Sequence, residues 1–197
     1  MIALRLIKWG CGGGGILSLC VVLTFALISV QSCGWQISNV WEPPTDYDPS
    51  GATCENVGLP APGNPFVGWP TSPSNAINYY YCSADYYAEF GRTHWGIDIN
   101  TYRGEPVYAT TAATVVWAYY DPIYGMGRTV KLCTSSGWCA IYMHLDGFAV
   151  VTNQYVSPGQ VIAYADSTGF STGDHLHYQL EDPAGQPVDP YPAMIGG

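Results

Sequence analysis

The chain's four histidines, His94, His144, His175 and His177, all fall in three short apolar segments, THWGIDIN, IYMHLDG and TGDHLHYQL. Histidine used as general surface filler would be scattered among loops and polar faces. Imidazole nitrogens with a carboxylate at these spacings instead form the donor set of a hydrolytic zinc ion, which takes three protein ligands and keeps one position for water. His94, Asp98 and one histidine of the HLH pair supply that set for one zinc. Because strand side chains alternate between faces, His175 and His177 share a face, and spacing alone leaves open which of them is the ligand.

The elements that must position these groups read as loops and strands. Asp98 follows His94 by four residues, a helical spacing, but Gly96 and the β-branched Ile97 and Ile99 oppose a helix. The segment reads as a loop running into a strand, with both side chains facing one cavity. From Phe66 onward, short β-rich runs (PVYATT, ATVVWAYY, RTVKLC, CAIYMHL, QVIAYA, HLHYQL) alternate with Gly, Pro, Asp and Ser, and no helical stretch of useful length stands out. The pattern predicts one all-β domain over residues 66–197, of about 130 residues and large enough to bury its own core. Residues 34–65, with WEPPTDYDPSG at their centre, are polar and proline-rich, as in an extended spacer or a lead-in strap tied down by Cys54.

From about Phe66 to Pro192 the chain resembles the lysostaphin-type zinc endopeptidases, which cut the peptide part of bacterial peptidoglycan. The carrying motifs are HWGID, YMHL and GFSTGDHLHY, in the family's order and at comparable separations, with further echoes in EPVYAT, VSPGQVIAY and PVDPYP. The resemblance implies a compact antiparallel, sandwich-like sheet with zinc on the floor of a groove. It implies that His94, Asp98 and His177 bind the ion and that His144 and His175 are the catalytic histidines. Two departures stand out: Ala113 replaces a usual Gly, and Asp174 replaces a common Pro and sets a carboxylate beside His175, which favours a protonated imidazole. All five site positions are kept.

The first thirty-three residues point out of the cytosol. Arg5 and Lys8 precede Cys11 to Val30, an uncharged apolar run long enough for a signal sequence or a membrane anchor, and basic residues on its N-terminal side put the rest of the chain outside. The stretch ISVQSC resembles a lipobox, which would make Cys33 the acylated N-terminus of a lipoprotein; an uncleaved anchor or a cut elsewhere are the alternatives. Of seven cysteines, Cys11 and Cys20 lie in the apolar run. With Cys33 lipidated, the other four can pair. Cys133 and Cys139 flank TSSGW between two strand-like runs and can meet across a hairpin, leaving Cys54 for Cys82 by elimination.

A net charge of −9 argues against a nucleic-acid partner and reads as a solvated acidic surface. Sixteen tyrosines and seven tryptophans include a run around the first motif (Trp69, Tyr79, Tyr80, Tyr81, Tyr86, Tyr87, Trp95) that would line a groove or pack in a sheet. Tyr142, two residues before His144, reads as a core tyrosine or a hydrogen-bonding group in the site. The expected function is hydrolysis of peptidoglycan peptides at the outer face of the cytoplasmic membrane. A non-catalytic wall-binding or regulatory module on the same fold, and a carboxypeptidase or amidase acting on the same polymer, are the competing expectations. Nothing in the sequence fixes the oligomeric state.

Overall fold

The computed structural model describes residues 53–196. The expected membrane segment, Cys33 and most of the spacer lie outside the described residues. Within them, no helix is long and apolar enough to cross a membrane.

The chain runs β1 (Ile77–Tyr79), α1 (Ala84–Phe90), β2 (Ile97–Asn100), β3 (Pro106–Tyr108), β4 (Ala113–Asp121), β5 (Gly127–Cys133), β6 (Cys139–Phe148), β7 (Tyr155–Val156), β8 (Val161–Ala165), β9 (His175–Glu181), β10 (Pro187–Val188) and α2 (Tyr191–Ile195). The six β-rich runs named above form β3, β4, β5, β6, β8 and β9. All pairings are antiparallel, in the order β1-β2-β9-β6-β5-β4-β7, with β10 added to β9 and with β8 bridging β6 and β3. The strands make one hydrogen-bonded network rather than two separate sheets.

Alternation along the central strands separates core from site. Ile97 and Ile99 of β2, Leu176, Tyr178 and Leu180 of β9, and Ala140 and Tyr142 of β6 enter the main core with almost no exposure. Each large apolar side chain buried this way contributes roughly 1.5–3 kcal/mol. The intervening residues, Asp98 on β2 and His175 and His177 on β9, therefore face the other side of the sheet. Tyr142 is fully buried among the core residues and packs on Tyr178 at a ring separation of 5.2 Å.

Strand β6 changes partner at the site. Met143 pairs with His177 of β9, whereas Leu145 pairs with Ala165 of β8. Between them His144 adopts φ of 64°, and the pairing with β5 shifts register opposite this point. A bulge bends the strand and re-aims the side chain, and a non-glycine residue held there stores about 1–3 kcal/mol of strain.

The two short helices depart from the all-strand expectation. Ser83 caps α1 by accepting from the Tyr86 amide, and Gly91 ends it at φ of 70° while its amide donates to the Tyr87 carbonyl. Seven residues are too few for a helix that stands alone in water, so packing must hold α1 in place. Residues ahead of Phe66 are also packed: the Gly58 amide donates to Asp189 at 2.7 Å, and Ala61 lies on the core. Both disulfides are formed. Cys54–Cys82 ties this lead-in to the segment before α1, with Cα atoms 5.8 Å apart. Cys133–Cys139 closes the β5–β6 hairpin at 4.1 Å.

Candidate metal centre

The antiparallel register of β2 and β9 sets Asp98 directly opposite His177 and Asn100 opposite His175. His94 arrives from the loop before β2 and is fully buried. Three atoms consequently meet: His177 Nδ1 lies 2.8 Å from Asp98 Oδ1, and His94 Nε2 lies 3.0 Å from each of these. Tetrahedral zinc with bonds of about 2.0–2.1 Å would spread three such ligands to about 3.3 Å, so each edge need open by only a few tenths of an ångström. The donor set also calls for a cation. Asp98 is a buried carboxylate whose ion-pair partners among the described residues are the imidazoles of His94, His175 and His177, with no lysine or arginine.

Backbone contacts fix which ring atom each histidine presents. His94 Nδ1–H donates to the Tyr80 carbonyl at 2.9 Å, leaving Nε2 as the lone-pair donor. The Cys82 amide donates to the His94 carbonyl at 2.8 Å, so the segment 80–82 grips this residue from both sides. His177 turns its Nδ1 toward Asp98, and its Nε2 packs against Gly96. A Cβ at Gly96 would sit 2.7 Å from that nitrogen and 2.6 Å from the Tyr178 carbonyl. The glycine of HWGID is therefore the space in which His177 lies.

His144 and His175 flank this trio. Their rings are 4.7 Å apart, the His144 and His177 rings are 6.1 Å apart, and His175 Nε2 is 3.7 Å from Asp98 Oδ1. His144 Nδ1–H donates to the Thr168 carbonyl at 2.8 Å, and His175 Nδ1–H to the Gly173 carbonyl at 2.8 Å. Each keeps Nε2 for chemistry. Thr168 is itself pinned, since its hydroxyl donates to the Leu145 carbonyl at 2.7 Å and accepts from the Arg128 amide at 3.0 Å.

Burial dominates the electrostatics. It raises the Asp98 carboxyl, but the close side-chain contacts with His177 and His94 outweigh it and hold the group well below the usual carboxylate range. Burial, with the neighbouring His175 and His177, pushes His144 down to about 3 against its bond to Thr168. Burial likewise lowers His177 despite its bond to Asp98. A neutral His177 beside an ionised Asp98 is what a metal requires of its ligands.

The site opens onto a groove with two lobes. One is a cavity of about 590 Å³ reached past Trp95, Met126 and Met143. The other is about 130 Å³ and lies beside Asn100, Phe170 and Asp174, with Asp174 exposed at its rim. Tyr86 and His144 line both. Of the expected aromatic cluster, Tyr79, Tyr86, Tyr87 and Trp95 line these lobes, whereas Tyr81 is buried, Trp69 packs on the core and Tyr80 is exposed. Helix α1 carries Tyr86, whose ring stacks on His94 at 4.2 Å and 19°. Sequence reading missed α1 and Thr168. For α1 the signal was present in the Ser83 cap, Asp85 and the terminal Gly91.

The family model that matches is Peptidase family M23, over residues 92–190, a span holding all five of these residues. Lysostaphin of Staphylococcus simulans is 38% identical over 93 residues, 45% of this chain and 18% of that protein. Peptidoglycan DD-endopeptidase ShyB of Vibrio cholerae is 37% identical over 87 residues, 44% of this chain and 20% of that protein. The chain thus spans about a fifth of the length of these relatives. Among solved structures, a zinc containing peptidase from Vibrio cholerae superposes with a TM-score of 0.58 at 31% identity, covering 64% of this chain and 39% of that one. With three motifs, one fold and one cluster of ligand atoms in agreement, the chain belongs to peptidase family M23.

Proposed function

We propose that this protein is a zinc-dependent endopeptidase that hydrolyses peptide bonds in the stem or cross-bridge peptides of peptidoglycan. The observation that carries the reading is the trio His94 Nε2, Asp98 Oδ1 and His177 Nδ1, with two further tautomer-fixed histidines beside it. His94, Asp98 and His177 would hold one zinc ion, which supplies Lewis acidity toward the scissile carbonyl and lowers the pKa of water toward neutrality.

The chain's own residues do the proton work. The His144 and His175 rings lie 4.7 Å apart beside the trio, each with Nδ1 tied to a backbone carbonyl and Nε2 left for chemistry. One accepts the proton of the attacking water at Nε2, and the other, entering the reaction as the imidazolium with Nε2–H, donates to the carbonyl oxygen as it gains charge or to the leaving amine. Thr168 and Gly173 hold these two rings through backbone carbonyls, so the imidazoles need little reorganisation during the reaction. Retention of all five groups favours the enzyme over a non-catalytic wall-binding module.

The two disulfides fit an oxidising compartment and so support action outside the cytosol. Attachment through an acylated Cys33 or an uncleaved N-terminal segment is part of this proposal. The test is mass spectrometry of purified peptidoglycan after incubation with the zinc-loaded protein. New peptide termini are expected, and intact peptides would refute the reading.

A further inference from the structure

The larger lobe of the groove is lined by one charged side chain besides the histidines, Arg92, and by no carboxylate. Of the four lysines and arginines among the described residues, Lys131 is paired with Glu181 at 2.6 Å, and Arg103 is paired with Asp146 and Asp166. Arg128 lies over the Tyr120 ring and lines neither lobe. Arg92 is exposed, and its guanidinium sits over the Phe170 ring at 4.4 Å while one nitrogen donates to the Tyr86 hydroxyl at 3.1 Å. Stacking occupies the flat face of a guanidinium and leaves its edge donors free, and that edge is the geometry that binds a carboxylate with two hydrogen bonds.

Position adds to chemistry. Arg92 lies 6.0 Å from the Tyr86 ring, which in turn stacks on the His94 ring at 4.2 Å. The guanidinium is therefore within about 10 Å of a ligand of the metal centre, a span of about three residues of extended peptide at roughly 3.3 Å each. The smaller lobe has the opposite character: it carries Asp98 and Asp174 and no lysine or arginine. A peptide lying through both lobes would place an anionic group on the Arg92 side.

We propose that Arg92 determines specificity by binding a carboxylate of the peptide substrate within about three residues of the scissile bond, so that the site selects acidic peptides over neutral ones. The inference rests on the peptidase reading of this same groove.

The test uses the zinc-loaded full chain and one synthetic peptidoglycan stem peptide in two forms, with its carboxylates free and with them amidated. Dissociation constants are measured by nuclear magnetic resonance titration, and KM and kcat by mass spectrometry. The wild type is expected to bind the free acid about 10-fold or more tightly than the amide. Arg92→Gln should lose that preference by weakening the acid alone, and Arg92→Lys should recover part of it. Tyr86→Phe, which removes the hydroxyl that Arg92 contacts, should retain the preference; if it copies Arg92→Gln, the arginine acts through Tyr86 and the proposal fails. Equal weakening of both peptides, full preference in Arg92→Gln, or a wild type that does not bind the acid selectively would each overturn it. An Arg92-dependent preference without cleavage would sustain this inference and refute the peptidase reading, whereas cleavage without preference would do the reverse.

Discussion

Asp98 and His177 face each other across adjacent strands, with Oδ1 and Nδ1 2.8 Å apart and their backbones paired in register. Because a slip of one residue would turn every side chain of a strand to the opposite face, the buried pattern of Ile97, Ile99, Leu176 and Tyr178 fixes this meeting. Hydrophobic burial on one face of the sheet thereby assembles the candidate metal centre on the other. His94→Ala, Asp98→Ala and His177→Ala are each expected to lose bound zinc while keeping the β-sheet circular dichroism spectrum. Zinc content by elemental analysis checks this, and full retention in any one of them would remove that residue from the ligand set.

Gly96→Ala adds a single methyl group where His177 Nε2 and the Tyr178 carbonyl already lie 2.7 and 2.6 Å from the Cβ position. A contact that short forces the ring or the strand to move, at a cost of about 1–3 kcal/mol. The expected result is a protein that folds with a lower Tm and binds zinc at least about 10-fold more weakly, read by competition with a chelator dye. Unchanged affinity would mean that His177 does not need its present position.

His144→Ala and His175→Ala should keep one zinc and lose about 10²–10⁴-fold in kcat, since neither is in the candidate ligand trio and both rings lie beside it. Thr168→Val is a milder version of the same experiment. It removes the hydroxyl that pins the backbone carbonyl receiving His144 Nδ1–H, so zinc should stay and kcat should fall by less than in His144→Ala. If His175→Ala abolishes zinc binding while His177→Ala spares it, the roles within HLH are exchanged.

The two disulfides should differ in their effect on the site. Cys54–Cys82 spans 28 residues and ends beside the amide that holds the His94 carbonyl, whereas Cys133–Cys139 spans 6 and closes a hairpin. Replacing the first pair with serine should cost about 3–4 kcal/mol and weaken zinc binding. Replacing the second should cost about 2 kcal/mol and leave zinc affinity unchanged. Denaturant unfolding followed by metal titration distinguishes them, and equal zinc affinity in both variants would refute the role assigned to Cys82.

Much of the candidate site's geometry was legible in the sequence because the groups proposed to do the chemistry are rare residue types at short, regular spacings. His94 and Asp98 are local to one loop and strand, and the period of two in HLH set both histidines on one face. The choice of His177 over His175 needed the family resemblance, because it depends on which residue faces Asp98 across the β2–β9 register. The bulge at His144, the carbonyl of Thr168 and the stack of Tyr86 on His94 were not legible. Each joins residues far apart in sequence, and none has a composition signal of its own. Helix α1 was missed for a different reason. Its caps were readable, but seven aromatic-rich residues between strands look like strand, and packing overrode the propensity.

The central claim is that one zinc ion held by His94, Asp98 and His177 cleaves peptidoglycan peptides. Its most direct test strips the full chain with a chelator, adds zinc back in steps, and follows bound zinc and released peptide fragments in the same samples. Activity should be absent in the stripped protein, rise in proportion to zinc and level off near one equivalent, with no recovery in Asp98→Ala. Fragment release by the stripped protein, or full recovery in Asp98→Ala, would contradict the account.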